Sequence, residues 1–285
     1  MIDLHTHSTA SDGSFSPSAL ISEAAKRGLS AIALTDHDTT GGLKEAARTA
    51  KEKEIRFIPG IELEIVWKQN GEFHLLGLGL CELKDEFLRV MEELRRRREE
   101  RNLEIVDRMN KAGIEVSYSE ISNHANGSDA AGRSIGRPHF AAYLAEKKIV
   151  KNRKQAFSRY LGKGKPFYIP KVGLELDLAL KIIHGSGGIA VLAHPMSLYT
   201  AWGKLPELIK SFKEKGLDGI EAWHPSTKVS YCRRLEELGR KLGLYITAGS
   251  DFHGEARKDR KLGFTAGGRK ISEAFLEEIP ALGAI

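Results

Sequence analysis

The sequence predicts an α/β protein, a barrel or an open sheet, that carries a small helical insertion domain. Three observations predict it. Short apolar runs alternate with amphipathic helical patterns near both ends of the chain, as strand–helix–strand units that pack into a helix-covered sheet do. The alternation breaks in the middle, where long, charged helical patterns follow one another without a strand. Finally, most of the apolar runs end on a histidine or an acid, which is how α/β barrels place ligands at the carboxyl ends of their strands.

In chain order, strands are expected at Ala31–Thr35, Arg56–Gly60, His74–Leu80, Gly188–Ala193, Gly219–Trp223 and Tyr245–Ala248, after a first strand ending at His5. The helices between them fall at Ser16–Arg27, Gly42–Lys53, Leu174–His184, Lys204–Lys215 and Thr227–Leu242. Ser16 suits an N-cap, Pro17 the first turn and Gly28 the stop of the first helix. From Lys84 to Lys111 a single long helix is expected, its run Arg95–Arg96–Arg97–Arg98 supported by glutamates three and four residues away and read as a solvated face. Helices then follow at Tyr118–His124, Pro138–Lys147 and Arg153–Leu161, and strand character returns at Phe167–Pro170. The expected organisation is therefore residues 1–99 and 166–285 as one discontinuous unit and 100–165 as the insertion.

With 41% hydrophobic and 29% charged residues the composition is that of a globular protein with a sizeable core. No apolar run is long enough for a membrane helix, and the opening Met1-Ile2-Asp3-Leu4-His5 has no secretory leader pattern. Two isolated cysteines, Cys81 and Cys232, suggest no disulfide framework, so a cytoplasmic location is expected. A net charge of +6 favours an anionic ligand. The P-loop motif is absent, which argues against a P-loop nucleotidase.

The chemistry concentrates in the histidines. His5 and His7 share a strand face, Asp36-His37-Asp38 ends the second strand, Glu62 follows the third and His74 opens the fourth. His194 and Asp251-x-His253 close two later strands. Imidazole and carboxylate together are the ligand set of zinc, iron and manganese, and these donors outnumber what one cation needs, which points to a catalytic rather than a structural site. Asp36 and Asp38 are read as partners that orient His37. Ser11-Asp12-Gly13-Ser14 is a turn composition, so Asp12 has a local backbone-bonding alternative to ligation. In the insertion, Arg137 precedes Pro138 at a helix start, a favourable place for phosphate, with a solvated arginine as the plain alternative. His224 ends a strand and is read as either a substrate contact or leaving-group acid, or a support for other groups; Asp251 and His253 are assigned to catalysis with it. His124 and His184 are given no special role.

The motifs His5-x-His7, Thr35-Asp36-His37-Asp38, Gly60-Ile61-Glu62, Ala193-His194-Pro195 and Ser250-Asp251-x-His253, in this order, resemble those of the PHP (polymerase and histidinol phosphatase) family. The resemblance covers the chain outside the insertion. It implies a distorted seven-stranded (β/α) barrel with two or three divalent metal ions, Mn2+ first, with Zn2+, Fe2+ or Mg2+ as alternatives. By motif, it implies that His5, His7, Glu62 and Asp251 hold one metal, Glu62, His74 and His194 a second, and Asp12, His37 and His253 a third. Many family members have histidine where Asp12 stands. A Gly-Arg-x-His element over the metals, as in stand-alone members, implies that Arg137 and His139 contact substrate; Lys165 and Lys171 are further phosphate candidates.

The expected activity is hydrolysis of phosphomonoesters of small nucleotides, such as 3′,5′-bisphosphates, or trimming of short single-stranded RNA from its 5′ end, by metal-activated hydroxide attacking phosphorus. Duplex and membrane partners are not expected. Alternatives are a histidinol-phosphate phosphatase, an amidohydrolase using the same metals on a C–N bond, and a metal-stabilised binding module without turnover.

Overall fold

A computed structural model of the protein describes residues 1–126, 134–170 and 173–283. Lys171, one of the phosphate candidates, lies outside the described residues. Seven strands run in spatial order β1 (Ile2–Asp3), β2 (Ala31–Leu34), β3 (Arg56–Ile65), β4 (Phe73–Leu78), β5 (Ile189–Leu192), β6 (Gly219–Trp223) and β7 (Tyr245–Ala248). The sheet nearly closes on itself. Between β7 and β1 a bridge pairs Thr6 with Phe252, the Asp251 N–H donates to the His5 carbonyl at 2.9 Å, and the Asp3 carboxylate accepts from the N–H groups of Ser250 and Gly263. The result is the distorted barrel expected of the chain.

The pairing is mixed rather than wholly parallel. β4 runs antiparallel to both β3 and β5. Only residues 66–72 join β3 to β4, and a parallel crossover needs a dozen or more. The reversal explains His74: it opens its strand instead of closing it, yet lies on the same rim as the carboxyl ends of the other strands. Ile58, Ile61, Leu76, Val191, Ile220 and Ile246 belong to one apolar cluster that runs through the barrel strands and the helices covering them. Around it pack α1 (Pro17–Lys26), α2 (Leu43–Glu52), α7 (Leu176–Gly185), α8 (Leu205–Glu214) and α9 (Val229–Lys241), numbered in chain order with the helices below. The Ser16 hydroxyl caps α1 by accepting from the Ala19 N–H at 3.1 Å.

α3 (Asp85–Lys111) is one continuous helix that serves two cores. Phe87 and Leu94 belong to the barrel, whereas Ile105 and Met109 join a second cluster with residues of α4 (Tyr118–Asn126), α5 (Arg137–Glu146) and the helical stretch α6 (Arg153–Ala156), which continues as a π-turn through Leu161. Phe167 and Ile169 complete this second cluster. The strand expected at Phe167–Pro170 is not formed: these residues run irregularly, with their apolar side chains turned into the helical cluster instead of onto the sheet.

Candidate metal centre

Nine donors from six strands and one loop come together, with Glu62 at their centre. Its Oε1 lies 2.9 Å from His74 Nδ1 and 3.0 Å from His194 Nε2. Its Oε2 lies 2.8 Å from His37 Nδ1, 3.4 Å from His7 Nε2 and 3.5 Å from His5 Nε2. Asp251 Oδ1 approaches His7 Nε2 at 3.4 Å, and Asp12 Oδ1 lies 3.1 Å from His253 Nε2 and 3.8 Å from His37 Nε2. Every residue expected to ligate metal is therefore at one place, Asp12 included. Three groupings have atoms close enough to share an ion: His5, His7 and Asp251; His37, Glu62 and His74; and His7, Asp12, His37 and His253. His7 and His37 sit where neighbouring groupings meet.

Whether this donor set suits cations is tested by the outer sides of the imidazoles. His5 Nδ1 donates to Glu221 Oε1 at 3.0 Å, and His74 Nε2 to Glu64 Oε2 at 3.0 Å. His194 Nδ1 donates to Ser197 Oγ at 2.8 Å, and His253 Nδ1 to the Asp251 carbonyl at 2.8 Å. Each anchor fixes the ring and turns the other nitrogen to the centre, the arrangement by which proteins orient metal-binding histidines. Burial would raise the Glu62 carboxyl, but the His37, His74 and His5 imidazoles outweigh it and hold it well below the usual range; Asp12 and Asp251 are likewise held ionised against burial, chiefly by His253. Burial, then the His253 and His37 charges, lower His7 to about 3. Buried anions facing oriented imidazole nitrogens fit divalent cations.

Local backbone supports the rim. Asp251 and His194 both adopt left-handed conformations, with φ of 53° and 27°, which non-glycine residues avoid at a cost of about 1–3 kcal/mol. Gly249 lets β7 approach β1: a Cβ there would stand 2.3 Å from His5 Cβ and 2.6 Å from Glu221 Oε1. Asp36 accepts from the Ser8 N–H and the hydroxyls of Ser8 and Ser11, and Asp38 accepts from the Glu64 N–H and pairs with Arg98. Their expected contact with His37 is not made. They instead fix the loop that presents Asp12 and the seat of α3.

Above the donors lies a cavity of about 370 Å³ whose other wall carries Arg98, Arg101, Arg137, Arg153 and Arg257. Arg101 is 6% exposed, donates to Asn102 Oδ1 at 2.9 Å, and has no carboxylate within ion-pair distance among the described residues. Burial lowers it to about 10 and Arg98 to about 9, so both stay cationic at neutral pH. The reading of Arg98 as part of a solvated face is thereby corrected; Arg95, Arg96 and Arg97 do pair with glutamates on the exposed side.

Three expected catalytic or substrate residues are placed differently. His224 does not line the cavity. Its Nδ1 accepts from the Ser226 N–H and its Nε2 donates to Asp251 Oδ2 at 3.2 Å, so it supports Asp251 from behind. His139 lines the cavity, but Nδ1 accepts from the Gly136 N–H at 2.9 Å and Nε2 donates to the Ser11 carbonyl at 2.9 Å, leaving neither nitrogen for substrate. Lys165 is exposed and outside the cavity wall, because the turn at Gly162–Gly164 points it to solvent. Arg137 does line the cavity, its guanidinium 5.1 Å over the Tyr168 ring. The sequence reading missed Glu221, Glu64, Arg101, Arg153, Arg257 and the buried Arg260, which stands 3.7 Å from Asp251 Oδ2. Arg98 and Arg101 had a legible signal: with Leu94 and Ile105 they fall on one stripe of α3, the stripe that faces inward.

Comparison with known proteins agrees with this geometry. A profile described as the PHP domain matches residues 3–176. A protein of Haemophilus influenzae named 5′-3′ exoribonuclease is 37% identical over 252 residues, 88% of this chain and 89% of its own. A 3′,5′-nucleoside bisphosphate phosphatase of Chromobacterium violaceum is 33% identical over 280 residues, 98% of this chain and 96% of its own. A solved structure from Bifidobacterium adolescentis, described as a metal-dependent phosphoesterase, superposes with a TM-score of 0.86 at 26% identity and covers 99% of this chain and 96% of that one. The chain belongs to the PHP domain family.

Proposed function

We propose that the protein is a divalent-metal phosphoesterase that releases phosphate from small nucleotides such as 3′,5′-bisphosphates, or trims short single-stranded RNA from its 5′ end. The observation that carries this reading is the cavity itself: metal donors on one wall, five guanidiniums on the other, and a buried Arg101 without a carboxylate partner among the described residues. A buried cation left unpaired is costly unless an anion completes it, and a phosphate is the anion whose geometry matches guanidinium. The named relatives act on nucleotide and RNA phosphoesters, which supports the same choice.

His5, His7, Glu62 and Asp251 would hold one cation, Glu62, His74 and His194 a second, and Asp12, His37 and His253 a third. Bound there, the ions would supply Lewis-acid activation of water and neutralise charge on the phosphoryl oxygens. The rest falls to the protein. Arg101, Arg98 and Arg137 would grip the phosphoryl group or a second phosphate of the substrate, His224 keeps Asp251 oriented through Nε2, and Glu221 keeps His5 oriented through Nδ1. Manganese is the first choice by resemblance to the family, and a mixed imidazole–carboxylate set accepts it as it accepts zinc or iron. We place the reaction in the cytoplasm, in keeping with two unpaired cysteines; no described helix is long and apolar enough to cross a membrane.

An amidohydrolase has no use for five guanidiniums around its substrate, and histidinol phosphate brings an ammonium into a cationic cavity. A panel with the manganese-loaded protein decides: adenosine 3′,5′-bisphosphate and a short 5′-phosphorylated RNA should release products, while turnover restricted to histidinol phosphate or to amides would end the nucleotide reading.

A further inference from the structure

Between Lys147 and Lys165 the chain carries eight lysines and arginines and no acidic residue. That stretch holds +8 against +6 for the whole protein, so the remaining residues together are at −2. The basic character of the molecule therefore lies in one nineteen-residue piece of the insertion. All eight side chains are exposed. They differ in kind from the four arginines of α3 that meet a glutamate three or four residues away: Arg95 pairs with Glu92, Arg96 with Glu93, Arg97 with Glu93 and Arg108 with Glu104. None of the eight has an ion-pair partner among the described residues; Lys163 bonds the Asn70 amide oxygen at 3.0 Å, on the loop between β3 and β4.

The strip is continuous with the arginine-walled cavity. Arg153 and Phe157, one turn apart, line the cavity, and Arg153 also lines the adjoining cleft beside Asp12 and Gly13. Gln155 and Arg159, one turn apart on the same helical stretch, line a shallow groove of about 400 Å³ with Lys148 and Lys151 from the segment before it. A chain leaving the cavity past Arg153 would thus meet a succession of uncompensated cations.

We propose that residues 147–165 form a track for the sugar–phosphate backbone of a single-stranded oligonucleotide whose reacting end occupies the cavity, so that the protein binds oligonucleotides more tightly than mononucleotides. The inference rests on the phosphoesterase reading for the identity of the reacting end. Spaced, exposed, unpaired cations without carboxylates are what neutralising successive phosphates requires. An anionic membrane is the weaker partner, because the exposed large apolar side chains, Val66, Leu88, Leu103 and Tyr199, all lie outside the strip and give it nothing to insert.

The test uses the full-length, manganese-loaded protein and fluorescein-labelled phosphorothioate oligonucleotides of about 12 nucleotides, RNA and DNA, with anisotropy as the readout. The triple variant Lys151→Gln/Lys154→Gln/Arg159→Gln leaves the cavity wall untouched. It should bind both oligonucleotides about tenfold more weakly at physiological salt, and its slope of log affinity against log salt should shrink by about 2, the value for three lost phosphate contacts on a single strand. Its kcat/KM on adenosine 3′,5′-bisphosphate should stay within about twofold of the parent, as expected of exposed substitutions. Equal affinity and slope for parent and variant would overturn the inference, as would tighter binding to phosphatidylserine vesicles than to either oligonucleotide. A parent that hydrolyses no phosphoester but binds through the strip leaves the track standing and removes the phosphoesterase reading; hydrolysis without strip dependence does the reverse.

Discussion

Glu221 and His5 form a buried carboxylate–imidazole pair, Oε1 accepting from Nδ1 at 3.0 Å, while the other Glu221 oxygen accepts from the His194 N–H at 2.8 Å. One side chain in β6 thus ties the first and fifth strand ends of the rim together. Burial works against its charge, and His5 and His224 outweigh it, so Glu221 stays ionised below the usual range.

Glu221→Gln keeps the shape but removes the charge and sets an amide N–H against His5 Nδ1. Metal affinity should fall about 10- to 100-fold, the usual effect of losing such an outer partner. Titration with Mn2+ followed by calorimetry measures it, and the far-ultraviolet circular dichroism should not change. An affinity equal to the parent's would show that Glu221 does not orient His5.

Arg101→Gln should cut kcat/KM on phosphate substrates about 10- to 100-fold, the equivalent of ~1.5–3 kcal/mol for a hydrogen bond to a charged group. Metal content should stay at the parent's level, because Arg101 touches none of the donors. If metal is lost together with activity, the residue acts on the centre and not on the substrate.

Metal uptake should depend on pH with a definite sign. Burial would lower His253 and His74, but Asp12 and Asp251 raise the first to about 9, and Glu62 and Glu64 raise the second to about 10. At pH 7 both imidazoles hold a proton on the nitrogen facing the centre, and a cation must displace it. Against burial, Glu221 and Glu62 also raise His5 well above its ordinary range, so binding of Mn2+ at pH 7 should release about three protons per chain. Affinity should climb as pH rises towards about 9 and fall away below neutrality. Calorimetry in buffers of different ionisation enthalpy counts the protons; a buffer-independent heat would contradict the expectation.

How legible this site was depends on what kind of signal each residue carries. His5, His7, His37, His194, Asp251 and His253 follow apolar runs, so a strand reading alone puts them on one rim. His74 looked out of place until the antiparallel β4 was seen, although the short 66–72 connection already required a hairpin. Glu221 was hidden because a single acid inside Gly219–Trp223 reads as an irregular strand, and only the register of β6 turns it to the rim. Arg98 and Arg101 were masked in composition by the three arginines before them, which do face solvent; only their helical spacing with Leu94 and Ile105 separates the two faces. His139 carried a family expectation of substrate contact that its two backbone bonds contradict, since no sequence pattern says which atoms a buried imidazole has already committed.

Those two bonds lead to a last expectation. His139 Nδ1 accepts from Gly136 in the insertion and Nε2 donates to the Ser11 carbonyl in the loop that presents Asp12, while the Ser134 N–H donates to the neighbouring Ala10 carbonyl. The insertion is therefore fastened to the barrel at the loop that carries one metal donor. His139→Ala removes both bonds and leaves buried backbone groups unsatisfied, which costs about 1–3 kcal/mol. The melting temperature should drop by several degrees for a domain of this size, roughly 2–4 °C per kcal/mol. The informative part is what happens to the metals: cations held by His5, His7 and His194 do not depend on the Ser11 loop, whereas the one beside Asp12 does. Metal analysis should show loss confined to that ion, with kcat falling more than KM rises, because the arginine wall stays in place. A uniform loss of all bound metal would mean that His139 supports the whole rim, and unchanged metal with a raised KM would restore it as a substrate contact.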